Sequence, residues 1–236
     1  MQNDTAPSAA TTRSQRAVRR VQAARAALDR ASRRAVMAAA MALGATLLLD
    51  APAHAAPAVG QKAPDFVAVD TAGQRHKLSD FAGRYVVLEW TNPGCPFVRK
   101  HYGSGNMPAT QKSATERGVV WLAINSTERA SGDYLPPDRL AAWMKEHAAA
   151  PTHVLMDEDG IIGQAYGART TPHLYIIDPA GVLVYAGGID SIPSARVDDI
   201  QAATNYVAQA LAEAFGGRPV SAAGTRAYGC SIKYKT

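Results

Sequence analysis

With 236 residues, 47% of them apolar, the chain is long enough for one domain with a sizeable core, or for two small ones. Its net charge of +5 comes from the first 55 residues, where eight arginines (13, 16, 19, 20, 25, 30, 33 and 34) face only Asp4, Asp29 and Asp50. Taking eight from 25 basic and three from 20 acidic residues leaves 17 of each, so the remainder is neutral and the charge gives no reason to expect a nucleic-acid partner.

Residues 1–55 read as a secretory signal peptide: an Arg-rich region ending at Arg33-Arg34, an apolar run from Ala35 to Leu49, and the small-residue site Ala53-His54-Ala55 before Ala56. The run is shorter than the roughly 20 residues a membrane helix needs, so no stable span is expected after cleavage. Ser32-Arg33-Arg34-Ala35-Val36-Met37 is similar to a twin-arginine export signal. The predicted location is therefore periplasmic, or otherwise exported. In an oxidising compartment the two cysteines, Cys95 and Cys230, allow one intramolecular pairing.

The mature chain divides into a domain over residues 56–215 and a tail over residues 216–236. Asp70-Thr71-Ala72-Gly73 predicts the turn of a small hairpin. Tyr85 to Trp90 predicts a strand covered on both faces, ended by Asn92-Pro93-Gly94. A helix starts at Pro96 and is interrupted at Gly103-Ser104-Gly105; polar sequence then leads to a second buried strand, Val119 to Ile124. That is a βαβ step, which sets the two strands parallel. Next come a helix from Pro136 to about His147, a strand from Thr152 to Met156 and a helix from Glu158 to Tyr166. Strands at Leu174–Ile177 and Val182–Ala186 flank the turn Asp178-Pro179-Ala180-Gly181, and a helix from about Ser194 to Phe215 presents Ile200, Val207 and Leu211 to the sheet. The tail is turn-rich, without periodicity.

Cys95 stands where the central strand runs into its helix. Pro96 suits the first helical position, so the cysteine falls at or beside the N-cap. Free N–H groups and the positive helix end there favour a thiolate over the free thiol, whose pKa is about 8.5. The opposing reading is an inert buried cysteine. Arg99-Lys100-His101 reads as a solvated helix face, with a contribution to positive potential near the sulfur as its alternative. The six histidines show neither H-x-x-x-H nor Cys-His ligand spacing, and neither a metal site nor another cofactor is expected.

This order of elements, with a cysteine at the first helix and Thr171-Pro172 before the third strand, resembles the thioredoxin fold: an α/β domain whose central mixed sheet is flanked by helices, here with an N-terminal β-hairpin extension and an irregular C-terminal tail. GQKAPDF (60–66) and LSDFAGR (78–84) resemble the opening of its redoxin branch, the thioredoxin-like periplasmic thiol oxidoreductases and the peroxiredoxins of the AhpC/TSA group. The resemblance implies that Cys95 is the attacking thiol and that Pro172 is a cis-proline. With Thr171, Pro172 would offer backbone groups to an extended thiol substrate, with Pro96 and Arg169 beside them. Glu89 falls where thioredoxins keep a buried carboxylate able to exchange a proton; the alternative is an edge-facing, solvated Glu.

The departures matter equally. Val98 replaces the second cysteine of a C-x-x-C pair, Asn92 stands where peroxiredoxins carry Thr or Ser, and Leu88 stands where they carry Pro. Cys230 is left as the candidate resolving thiol, or as half of a static disulfide pinning the tail. The implied partners are a protein thiol or disulfide, or a peroxide, with an external dithiol to reset the site, and an antioxidant role goes with the peroxide branch. A non-catalytic binding protein, such as a copper chaperone, is the alternative from another class.

Overall fold

The computed structural model describes residues 56–235, together with Arg20, Val21 and Arg25, which are helical and exposed. The apolar run and cleavage site of the leader lie outside the described residues. Among those described, no helix is long and apolar enough to cross a membrane.

Seven strands form one sheet in the order β2-β1-β5-β4-β3-β7-β8. They are β1 (Val67–Asp70), β2 (Arg75–Lys77), β3 (Val86–Trp90), β4 (Val120–Asn125), β5 (His153–Met156), β7 (His173–Ile177) and β8 (Leu183–Gly187). The central strand β3 runs parallel to β4 and antiparallel to β7, and β4 runs parallel to β5. The β1–β2 hairpin continues the main sheet, because β1 pairs antiparallel with β5. A second, two-stranded sheet joins β6 (Thr170–Thr171) to β9 (Cys230–Ser231).

β3 and β4 are buried throughout, as their mostly apolar sequences favour. Alternation along β3 sends Val87 to one face and Val86, Leu88 and Trp90 to the other, so each face has its own core. Val87, Trp121 and Ile176 pack under α1 (Pro96–Gly103), α2 (Asn106–Thr115), α3 (Pro137–Glu146) and α5 (Tyr206–Phe215), while α4 (Ile161–Tyr166) covers the opposite face with Ile162 and Tyr166.

Two expectations are corrected. Residues 106–115, expected to be polar connecting sequence, form α2, which buries Met107, Gln111 and Ala114 at helical spacing after Gly105 supplies a left-handed N-cap. The last helix begins at Tyr206, not near Ser194, because the Asn205 side chain caps it by accepting the Ala208 N–H (2.9 Å). Only a short 3-10 turn, Val197–Ile200, precedes it, and Ile200 is half-buried there. The tail lacks periodicity, as expected, and is hydrogen-bonded to residues upstream: Ala186 N–H donates to Ala223 O (3.0 Å), Thr225 N–H to Ala186 O (3.1 Å) and Ile232 N–H to Arg169 O (3.0 Å).

Candidate active site

The loop before Cys95 is closed by Asn92, whose Oδ1 accepts the Gly94 N–H (2.7 Å) and whose carbonyl accepts the Cys95 N–H (3.0 Å). Asn92 Nδ2 ties this turn to Thr127 Oγ1 (3.1 Å) after β4. Cys95 is the N-cap of α1 with extended backbone, and Pro96 occupies the first turn, exposed. Across from it the Thr171–Pro172 peptide is cis, and both residues are buried. The Cys95 thiol donates to Thr171 O at 3.1 Å.

The tail completes the site. β9 pairs antiparallel with β6 so that Cys230 stands opposite Thr171, against the Cys95 sulfur. Such close approach demands glycine at the preceding position: a Cβ on Gly229 would stand 1.9 Å from Thr171 O, and its φ is +136°. Covered in this way, Cys95 is only 2% exposed, whereas Cys230 is half-buried.

The two sulfurs are electrostatically unequal. Burial opposes a Cys95 thiolate, but hydrogen bonds from the Cys230 thiol, the Val98 N–H, the Thr171 side chain and the Cys230 N–H outweigh it and hold its pKa below the ordinary thiol value. Burial, and then donation to Cys95, push Cys230 up to about 12. The pair thus has one sulfur whose thiolate is favoured and one that keeps its proton.

Glu89 is fully buried, not edge-facing. Oε1 accepts Tyr102 OH (2.7 Å), and Oε2 accepts Gln111 Nε2 (2.9 Å) and Trp121 Nε1 (2.8 Å). Burial raises its pKa against these donors. They tie α1, α2 and β4 to β3, and neither sulfur is among its hydrogen-bond partners in the described residues. Arg169 has an exposed side chain and meets the tail through its carbonyl.

Arg99-Lys100-His101 is not a solvated face. Only Arg99 is exposed; Lys100 and His101 are buried around Asp190, with Lys100 Nζ 3.3 Å from Asp190 Oδ2. Tyr228 of the tail donates to Asp190 Oδ1, lies 3.1 Å from His101 Nε2 and packs edge-on against Phe97. No local motif marks Asp190 or Tyr228; the place of Tyr228 two residues before Cys230 is the one signal the sequence carries for them.

A thioredoxin fold with a cysteine at the first helix, a cis-proline opposite and a second thiol delivered to that junction defines a thioredoxin-like redoxin. Residues 59–186 match the AhpC/TSA family, and the chain belongs to it. It is 29% identical over 133 residues to the thiol-disulfide oxidoreductase ResA of Geobacillus thermodenitrificans, covering 53% of this chain and 67% of the relative. Among solved structures it is similar to an uncharacterized conserved protein from Geobacillus kaustophilus (28% identity, TM-score 0.62, covering 75% of this chain and 93% of that one). It also shares the fold of a hypothetical protein from Sinorhizobium meliloti 1021 (23% identity, TM-score 0.64, covering 77% and 97%).

Proposed function

We propose that the protein is an exported thiol-disulfide oxidoreductase in which Cys95 is the nucleophile and Cys230 the resolving thiol. The observation that carries this reading is the β6–β9 pairing, which holds Cys230 against the Cys95 sulfur. The Cys95 thiolate attacks a disulfide sulfur of the substrate, forming a mixed disulfide and expelling one substrate thiolate. Cys230 then attacks the Cys95 sulfur; its proton passes to the departing second thiolate, and the Cys95–Cys230 disulfide remains. The substrate has been reduced by two electrons, and an external dithiol returns the enzyme to its reduced form.

A polypeptide disulfide suits the site better than a peroxide. Thr170 and Thr171 present a strand edge that an extended chain can pair with, as β9 does, and a small peroxide has no use for such an edge. Glu89 acts here by fixing α1 and α2 against β3, and through them the attitude of Cys95. The leader of residues 1–55 supports export to an oxidising compartment.

The test is a redox titration of the chain in defined thiol-disulfide buffers, with free thiols alkylated and counted by intact mass. One monomeric Cys95–Cys230 disulfide is expected, with a potential within the roughly −120 to −270 mV of exchange catalysts. A bond below about −300 mV would make it a structural clasp, and absence of an intramolecular bond would remove Cys230 from the mechanism.

A further inference from the structure

At the sheet edge away from β7 and the thiols, three neighbouring strands deliver metal-ligating side chains to one point. His76 comes from β2, Asp70 from the end of β1 and His153 from the start of β5. Their donor atoms all lie within 4.8 Å of one another: His76 Nε2 is 2.8 Å and His153 Nδ1 3.7 Å from the same oxygen, Asp70 Oδ2. We propose that this trio binds a divalent first-row cation, Zn2+ foremost, at a site separate from the cysteines.

The carboxylate is already oriented. Asp70 Oδ1 accepts the N–H groups of Ala72 (2.9 Å) and Gln74 (2.8 Å) in the hairpin turn, which leaves Oδ2 facing both imidazoles. A ligand carboxylate whose second oxygen is held by hydrogen bonds is the usual support for a metal. The rings are fixed too, with centroids 3.8 Å apart and Phe81 beside them at 6.4 Å from His76 and 5.9 Å from His153. Neither ring has a further hydrogen-bond partner among the described residues.

Bond lengths of about 2.0–2.2 Å in a tetrahedral zinc site put its donor atoms roughly 3.3–3.6 Å apart. The 2.8 and 3.7 Å separations bracket that spacing, and the third, between the two imidazole donors, is within 4.8 Å, so an ion needs the side chains to draw together by no more than about 1 Å. Two imidazoles and a carboxylate are a donor set for Zn2+, not for Mg2+ or Ca2+, which take oxygen ligands. Side-chain exposures of 9% for Asp70, 13% for His76 and 25% for His153 shelter the site yet leave an approach from solvent and room for water as a fourth ligand. A bound ion would tie the hairpin to β5 and stabilise the fold by mass action. Sequence spacing gives no sign of the trio, because strand pairing alone brings His76 and His153 together.

The experiment titrates the tag-free full chain with Zn2+ by calorimetry, in a Cys95→Ser, Cys230→Ser background that removes competing thiol ligands. A 1:1 saturable isotherm and a rise in Tm with added Zn2+ are expected, both lost in His76→Ala and in His153→Ala. In the unsubstituted histidine background, the imidazole nitrogen resonances of His76 and His153 should shift on zinc addition, a readout independent of whether either variant folds. Absence of saturable binding, or 1:1 binding with both resonances unmoved, would overturn the proposal and leave a hydrogen-bonded His–Asp–His cluster.

Discussion

Substituting Gly229→Ala tests whether the tail strand is the lid over Cys95. A Cβ at this position stands 1.9 Å from Thr171 O, 2.7 Å from its carbonyl carbon and 3.3 Å from Pro172 N, all backbone atoms that no rotamer change can move. Ordinary Cβ contact begins at 3.4 Å, so β9 must retreat by more than 1 Å, beyond hydrogen-bond reach of β6. Two backbone hydrogen bonds at about 0.5–1.5 kcal/mol each amount to about 1–3 kcal/mol. At 1.4 kcal/mol per tenfold, the open-tail population rises roughly 5- to 150-fold. Cys95, 2% exposed in the closed form, reacts through that open population, so its alkylation rate should rise by the same factor. The assay is iodoacetamide labelling under native conditions, with Cys95 and Cys230 modification separated by peptide mass. Parent-like labelling of Cys95 at unchanged Tm would refute the tail as its cover.

Two further outcomes follow from the buried polar groups. Tyr228→Phe removes the hydroxyl that donates to Asp190 and meets His101, and a hydrogen bond to a charged group is worth about 1.5–3 kcal/mol, so chemical denaturation should show a loss of that size and Tm a fall of roughly 3–12 °C; a variant as stable as the parent would mean that Tyr228 does not anchor the tail. For Glu89, burial raises the folded-state pKa above the unfolded one, so from about pH 4.5 upward the folded state holds a proton that the unfolded state has released. Its contribution to stability is therefore full below pH 4.5 and declines as pH rises through the folded pKa. Urea titrations across that window should show a downward slope in the parent that Glu89→Gln lacks; parallel pH profiles for the two proteins would exclude a raised Glu89 pKa.

The central β3–Cys95–α1 unit is legible in the sequence because each signal is local: a continuous apolar strand, Asn92-Pro93-Gly94 as turn, and Pro96 fixing the helix start. The helix α2 was equally present in the spacing of Met107, Gln111 and Ala114, but its inward-facing position 111 is a glutamine, which reads as polar until its partner Glu89 is known. Apolar spacing alone carries the last helix back to Ser194, whereas the cap at Asn205 fixes its start. What sequence could not supply is long-range pairing. Lys100 looks solvated beside Arg99, and only the return of the chain at Asp190 and Tyr228 shows where its charge is neutralised. The tail likewise has no periodicity because it pairs one short stretch at a time with residues far upstream.

The same tail explains how a thioredoxin-like site can lack its local second cysteine. Val98 is buried in the first turn of α1, so in the proposed mechanism the resolving thiol comes from the tail, brought to Cys95 along the strand edge at Thr170–Thr171. That edge is also where an extended substrate would pair. Under the proposed mechanism, substrate and Cys230 therefore compete for one strand position, so the tail must leave for the mixed disulfide to form and return for it to be resolved. The anchors grade accordingly: Tyr228 is held by a buried network on one side of Cys230, and on the other Ile232 N–H is held by Arg169 O and Tyr234 OH by Ala168 O, while Cys230 and Ser231 between them are held by a two-residue strand. The short segment can lift while the anchor stays, which keeps the resolving thiol near the site at high effective concentration throughout the cycle.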